Sequence, residues 1–226
     1  PRLACTLLLK NICMRKICVF DFLTIFPLLS STQTIVLRPY GTTGKDAFVW
    51  DYQPNISYGT FSEFSIYGWT YIGNPTKRRA YIDFDWSVIP AGATIQSAIL
   101  TLYNDSLSQS TSGQHQQLSG SNEMYMERII TPWNELTINW NNQPSVTATN
   151  QVSIPASTGP FVDYTIDVSA LVQDIIDNPG AGYGFALRLQ NEAYYRSVIF
   201  AGSNHADSTI RPRLEISYTI SAKGIE

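Results

Sequence analysis

Tyr67, Trp69 and Tyr71 stand at alternate positions, a spacing that suggests a shared task. On an extended strand they lie on one face. A row of flat rings there can stack on the C–H faces of sugars; packing of the same row into the core is the competing reading. Lys77-Arg78-Arg79 follows shortly after. A guanidinium pairs a carboxylate through two parallel hydrogen bonds, so Lys77 and Arg78 could hold a uronate ligand, or form an ordinary solvated turn. Tyr194-Tyr195-Arg196 lies between two strand-like runs. In a turn, adjacent side chains can both reach a ligand, or they can pack on the rim of the fold.

Other chemistry finds less support. The motifs G-x-S-x-G, H-E-x-x-H and a phosphate-binding glycine loop do not occur. A small lyase using His205, Tyr194 and Arg196 is the enzymatic alternative, and a non-catalytic protein is the preferred expectation. His115 and His205 are the only histidines and lie far apart in sequence, a poor basis for zinc, which takes three or four protein ligands. No cofactor is expected. Structural calcium, which takes oxygen ligands, stays open: Asp83, Asp85, Asp163, Asn204 and Asp207 are available, without EF-hand spacing.

The 226 residues carry 15% charged and 12% aromatic side chains, a composition typical of extracellular all-β proteins. Cys5, Cys13 and Cys18 all lie near the start, so the body has no internal disulfide, thiol nucleophile or cysteine metal site. Met14-Arg15-Lys16, an apolar run over 17–29 and small polar residues over 30–33 resemble a secretory signal, with cleavage expected near Thr32 or Gln33. Asp21 interrupts the apolar run, and a hydrophobic anchor or strand is the alternative. Removal of residues 1–32 takes away four of the 15 basic and one of the 18 acidic residues, leaving a net charge of −6. That argues against nucleic acid as a partner. After the leader no apolar run is long enough to span a bilayer.

The remainder, 33–226, reads as one domain. Runs with period-two alternation, such as Phe185, Leu187 and Leu189 or Leu214, Ile216 and Tyr218, mark half-buried strands. Strands are expected at 34–38, 46–51, 61–67, 79–84, 94–103, 123–130, 151–154, 162–166, 183–190, 196–201 and 212–220. A polar loop over 104–122 is expected at the surface. Val168, Leu171, Val172, Ile175 and Ile176 form one helical stripe, stopped by Asn178-Pro179-Gly180. Trp133 and Trp140 are read as structural plugs, and Trp50 and Trp86 as core or edge residues. The pattern predicts an all-β antiparallel sandwich, a jelly roll with one short helix.

Several phrases together resemble the DNRLRE, or disaggregatase-related, family of secreted β-sandwich domains. They include Lys45-Asp46-Ala47-Phe48-Val49, the stretch from Arg79 to Asp85, Ile89-Pro90-Ala91-Gly92, Trp133-Asn134-Glu135, Asn142-Gln143-Pro144 and the run from Arg211 to Tyr218. Order and spacing fit from about Asp46 to Tyr218. The family carries a serine followed by an acidic residue before the final Arg-Pro, whereas this chain has Ser203-Asn204-His205-Ala206-Asp207. The resemblance implies a non-catalytic module, with acidic polysaccharides such as alginate among the ligands of some relatives. The expectation is therefore a secreted or cell-surface polysaccharide binder. A self-associating structural protein of the matrix is the main alternative.

Overall fold

The computed structural model describes residues 31–40 and 44–220. The leader expected over 1–32 falls almost wholly outside them. Among the described residues twelve strands form two antiparallel sheets. The smaller contains β1 (Thr32–Leu37), β5 (Thr94–Leu102), β9 (Tyr164–Asp167) and β12 (Arg213–Thr219), in the order β1-β12-β5-β9. The larger contains β2 (Gly44–Trp50), β3 (Glu63–Tyr71), β4 (Asn74–Phe84), β6 (Gln116–Gln117), β7 (Met124–Ile129), β8 (Val146–Ile154), β10 (Phe185–Leu189) and β11 (Arg196–Ala201). One helix, α1 (Ser169–Asp177), buries Leu171, Val172, Ile175 and Ile176, the stripe visible in the sequence.

The all-β sandwich expected from the alternation is the observed fold. Leu100, Leu214 and Ile216 of the small sheet are fully buried in one core with Phe64, Ile82, Phe185, Leu187 and Phe200 of the large one. Each contributes about 1.5–3 kcal/mol on removal from water. A second, smaller core lies around Ala47, Val49, Tyr81, Ile129, Ile138 and Ala186, with Trp133 and Trp140 packed against it. The two tryptophans thus cover part of a sheet, where plugs at an end of the core were expected. Trp133 is held by its indole N–H, which donates to the Tyr183 carbonyl at 2.9 Å.

The 11-residue β4 organises the large sheet. Arg78 pairs with Tyr67 of β3 on one edge and with Trp50 of β2 on the other. Ala80 pairs with Phe48 of β2 and Leu187 of β10. β3 and β10 therefore share an edge of β4, one after the other.

Strands β3 and β4 both reach further than the sequence pattern suggests, because they close as a hairpin on Ile72 and Gly73. Both residues have positive φ, 49° and 76°, and Tyr71 pairs directly with Asn74. This is the two-residue turn whose twist suits the flanking strands. The left-handed region is unfavourable for a β-branched residue, and Ile72 is 74% exposed, so no packing recompenses it. Replacing it with asparagine, Ile72→Asn, is expected to stabilise the fold by about 1 kcal/mol, seen as a higher urea midpoint with unchanged slope.

The extension of β4 changes the meaning of Lys77-Arg78-Arg79. The run lies inside a strand, so its members alternate between faces and do not form one basic cluster. The polar segment over 104–122 also differs from the free surface loop expected. β6 within it pairs with β11. Asn122, fully buried, donates to Ser157 Oγ at 2.9 Å and to the Ser197 carbonyl at 3.0 Å. His115 is buried as well; its Nδ1 accepts from the Ile199 N–H at 3.0 Å while Nε2 faces the Val162 carbonyl at 2.8 Å. Burial holds this imidazole below its ordinary pKa.

Candidate functional site

Alternation along β3 sets Glu63, Ser65, Tyr67, Trp69 and Tyr71 on one side of the strand. Their cross-strand neighbours on β4 are Arg78 for Tyr67, Thr76 for Trp69 and Asn74 for Tyr71. Trp50 of β2 approaches from the far edge of β4. Residues 105–111, from the pinned polar segment, supply the opposite wall. Between them lies an open cleft of about 600 Å³.

The cleft is built on a buried ion pair. Arg78, 8% exposed, lies over the rings of Phe48, Tyr67 and Trp50, with its guanidinium carbon 4.1, 4.6 and 4.8 Å from their centroids. Its Nη1 donates to the Glu63 carboxylate, to Ser65 Oγ at 2.9 Å and to Ser110 Oγ at 3.0 Å. Glu63 also accepts from Ser110 Oγ at 2.7 Å, from Ser65 Oγ at 3.2 Å and from Ser108 Oγ. Arg78 Nε has no hydrogen-bond partner, and the faces of the surrounding rings take its place. The pair thus ties β3, β4 and the opposite wall together. Across the cleft His205 Nε2 stands 3.7 Å from Asp105 Oδ1, and its Nδ1 accepts from the Asp207 N–H at 3.1 Å.

Aromatic rings continue out of the cleft. Tyr71 meets Trp50 at 5.0 Å and Tyr52 at 4.6 Å between centroids. Trp50 is fixed by its indole N–H, which donates to Thr76. On the other flank Trp69 meets the edge of Tyr195 at 5.3 Å, and Tyr195 meets Tyr194 at 5.2 Å. Tyr52, Tyr71, Tyr194 and Tyr195 are exposed, Trp69 is half-buried and Tyr67 is buried. Burial pushes the Tyr67 hydroxyl above its ordinary pKa, so it stays neutral.

Of the residues singled out by sequence, Tyr67, Trp69, Tyr71 and Arg78 line this cleft. Tyr195 adjoins it through Trp69. Lys77 lies on the other face of β4, 3.9 Å from Glu192, which Arg79 grips in two hydrogen bonds of 2.7 and 2.9 Å. Arg196 is buried, and donates to the Ser119 carbonyl at 2.7 Å and to that of Asn191 at 3.4 Å. Glu63, Asp105, Ser108 and Ser110 were not legible as members, nor was Tyr52 as the ring beside Tyr71. Only Tyr52 carried a local signal, the Trp50-Asp51-Tyr52 alternation.

The carboxylates considered for calcium do separate tasks. Asp83 pairs with Lys45 at 3.5 Å, Asp85 and Asp207 cap short 3₁₀ turns, and Asp163 accepts from the Asn104 N–H at 2.9 Å. Among the described residues no group of three or more His, Cys, Asp or Glu is placed to hold a metal. Where the resembling family has its serine and acidic residue, Ser203 donates from N and Oγ to Asp46 at 2.6 and 2.8 Å, and Asn204 donates to the Gly59 carbonyl at 2.9 Å. The serine keeps a structural partner, and the amide makes a bond that a carboxylate could not donate.

A cleft that combines ring faces with hydroxyl and carboxylate acceptors has the character of a sugar site: flat apolar contact with polar groups fixing orientation. Comparison with curated proteins gives no match. Comparison with family models gives a match over residues 40–218, which takes in the large sheet, the small sheet apart from β1, the helix and the cleft. That model is carbohydrate-binding module family 96, and the chain belongs to this family.

Proposed function

We propose that the chain is a secreted, non-catalytic polysaccharide-binding module whose ligand lies in the cleft between β3 and the 105–111 wall. The observation that carries this reading is the convergence of Trp50, Tyr67, Trp69 and Tyr71 on one open cleft with Asp105, Ser108 and Ser110 opposite. Membership of a carbohydrate-binding family supports binding over turnover. The saturation of Glu63 by Arg78 and three serines supports it too, since a carboxylate so engaged makes a poor proton shuttle. The DNRLRE likeness and the signal-like leader are in keeping with export to the cell surface or medium.

The test is native electrophoresis of the full chain through gels containing alginate, pectin, xylan or β-glucan. At least one polysaccharide is expected to retard it. Trp69→Ala and Tyr71→Ala are each expected to weaken that retardation by about tenfold or more, with an unchanged circular dichroism spectrum. Retardation that survives both substitutions would move the site elsewhere on the molecule. Absence of retardation in every gel would overturn the function.

A further inference from the structure

The open side of the cleft is more apolar than stacking on sugar rings requires. Phe61, just ahead of β3, and Leu107, on the opposite wall, both line it and stand 46% and 79% exposed. Both are held in place. The Leu107 N–H donates to Asp105 Oδ1 at 3.0 Å, the Ser108 N–H donates to the Asp105 carbonyl at 3.2 Å, and Ser108 Oγ donates to Glu63. The Phe61 ring stands edge-on to Phe48 and Tyr58, with centroids 5.5 and 5.1 Å apart. A single exposed apolar side chain is ordinary, but two fixed ones on one binding cleft mark a contact surface. Gln109, two residues beyond Leu107, also lines the cleft and is exposed. Its amide donates to the Leu107 carbonyl at 3.5 Å, and with two N–H groups it has a second donor to offer.

Resting on the carbohydrate-binding reading above, we infer that Phe61, Leu107 and Gln109 form a lip that recognises an O-acetyl ester on the bound glycan. An acetyl ester presents a methyl group and a carbonyl oxygen that only accepts. The methyl suits the apolar side chains of Phe61 and Leu107, and the Gln109 amide supplies the donor for the carbonyl. A free hydroxyl set against Phe61 and Leu107 would instead give up water for hydrocarbon. Taking one methyl group and the surface it covers out of water is worth about four- to tenfold in affinity. The backbone of the glycan stays with Trp69 and Tyr71, so the lip adds a preference for the substituent. Phe61, Leu107 and Gln109 carry no charge, so that preference holds on neutral and acidic backbones alike.

The experiment is titration calorimetry of the full chain with hexamers of mannuronate, galacturonate, xylose and glucose, each before and after mild O-acetylation. The acetylated form of the best-bound hexamer is expected to bind about fivefold more tightly than its free form. Leu107→Ser is expected to bring the two forms to within about twofold of each other. Gln109→Leu, which keeps the lip apolar and removes its donor, is expected to lower the ratio as well. Leu136 is 65% exposed and lies beside Trp133, outside the cleft and its wall. Leu136→Ser therefore controls for the loss of a surface leucine and should keep the native ratio. Equal affinity for the two forms, with Trp69→Ala still abolishing it, would overturn the inference and leave the binding function standing. So would a preference that survives Leu107→Ser, because the ester would then be read elsewhere. A preference lost equally in Leu136→Ser would assign it to general surface hydrophobicity and overturn the lip. Binding of neither form of any hexamer would remove both readings together.

Discussion

Replacing Arg78 with methionine is expected to destabilise the protein by about 3–5 kcal/mol, or about 10 °C in melting temperature for a domain of this size. Methionine keeps the apolar stem between the rings of Phe48, Trp50 and Tyr67 but removes the charge that faces Glu63. Glu63 is left as a buried carboxylate with only serine hydroxyls for company. Both side chains are about 10% exposed, so solvent does little to screen the loss. Removing the second charge as well should return much of it: the Glu63→Gln, Arg78→Met chain is expected to be more stable than Arg78→Met alone, because no unpaired buried charge remains. Urea unfolding of the native chain, the two single variants and the double variant measures the coupling. A cost below about 1 kcal/mol for Arg78→Met would mean that the pair is no more than a surface salt bridge.

The same pair shows where sequence reasoning stops. Tyr67, Trp69 and Tyr71 were legible because alternation along one strand is a local property, and the helix stripe and the period-two runs of β10 and β12 were legible for the same reason. The partners of Arg78 lie 15 and 32 residues away, on another strand and on the opposite wall. Nothing local in the polar stretch 104–122 marks Ser108 and Ser110 as ligands of Glu63. The hairpin turn was missed because Ile72-Gly73 lacks the asparagine that usually announces such a turn. That omission shortened both strands in the reading and turned an alternating strand segment into an apparent basic cluster. The burial of Asn122 and His115 depends on bonds to Ser157, Ser197 and Ile199, which exist only once the chain has folded. The composition of that stretch says polar, and its environment in the fold is an interior.

Stability is expected to fall as pH rises from about 4 to about 7, with Asp46 as the largest single cause. Asp46 is 2% exposed, and burial pushes its carboxyl up to about 7 despite the hydrogen bonds from Ser203. In the unfolded chain an aspartate titrates near 4, so between the two values the folded state binds the extra proton. The slope of unfolding free energy with pH is then negative. The favourable contribution is fully present below about pH 4 and is lost as pH passes through about 7. Three units at about 1.4 kcal/mol each give about 4 kcal/mol. Asp83 and Glu135 are also raised by burial and act in the same direction, whereas His115, held down by burial, acts in the opposite one as pH rises towards the ordinary histidine range. Protonated Asp46 can still serve the site, because the Ser203 hydroxyl can reverse and accept. Asp46→Asn isolates the effect: its amide oxygen accepts the Ser203 N–H, its amide N–H₂ faces Ser203 Oγ, and it carries no charge at any pH. The variant should show a much flatter pH profile and exceed the native chain in stability above about pH 7. Urea unfolding of both chains across about pH 4 to 9 decides the matter. Parallel profiles would show that Asp46 stays ionised in the folded protein and that the Ser203 donors hold the charge without cost.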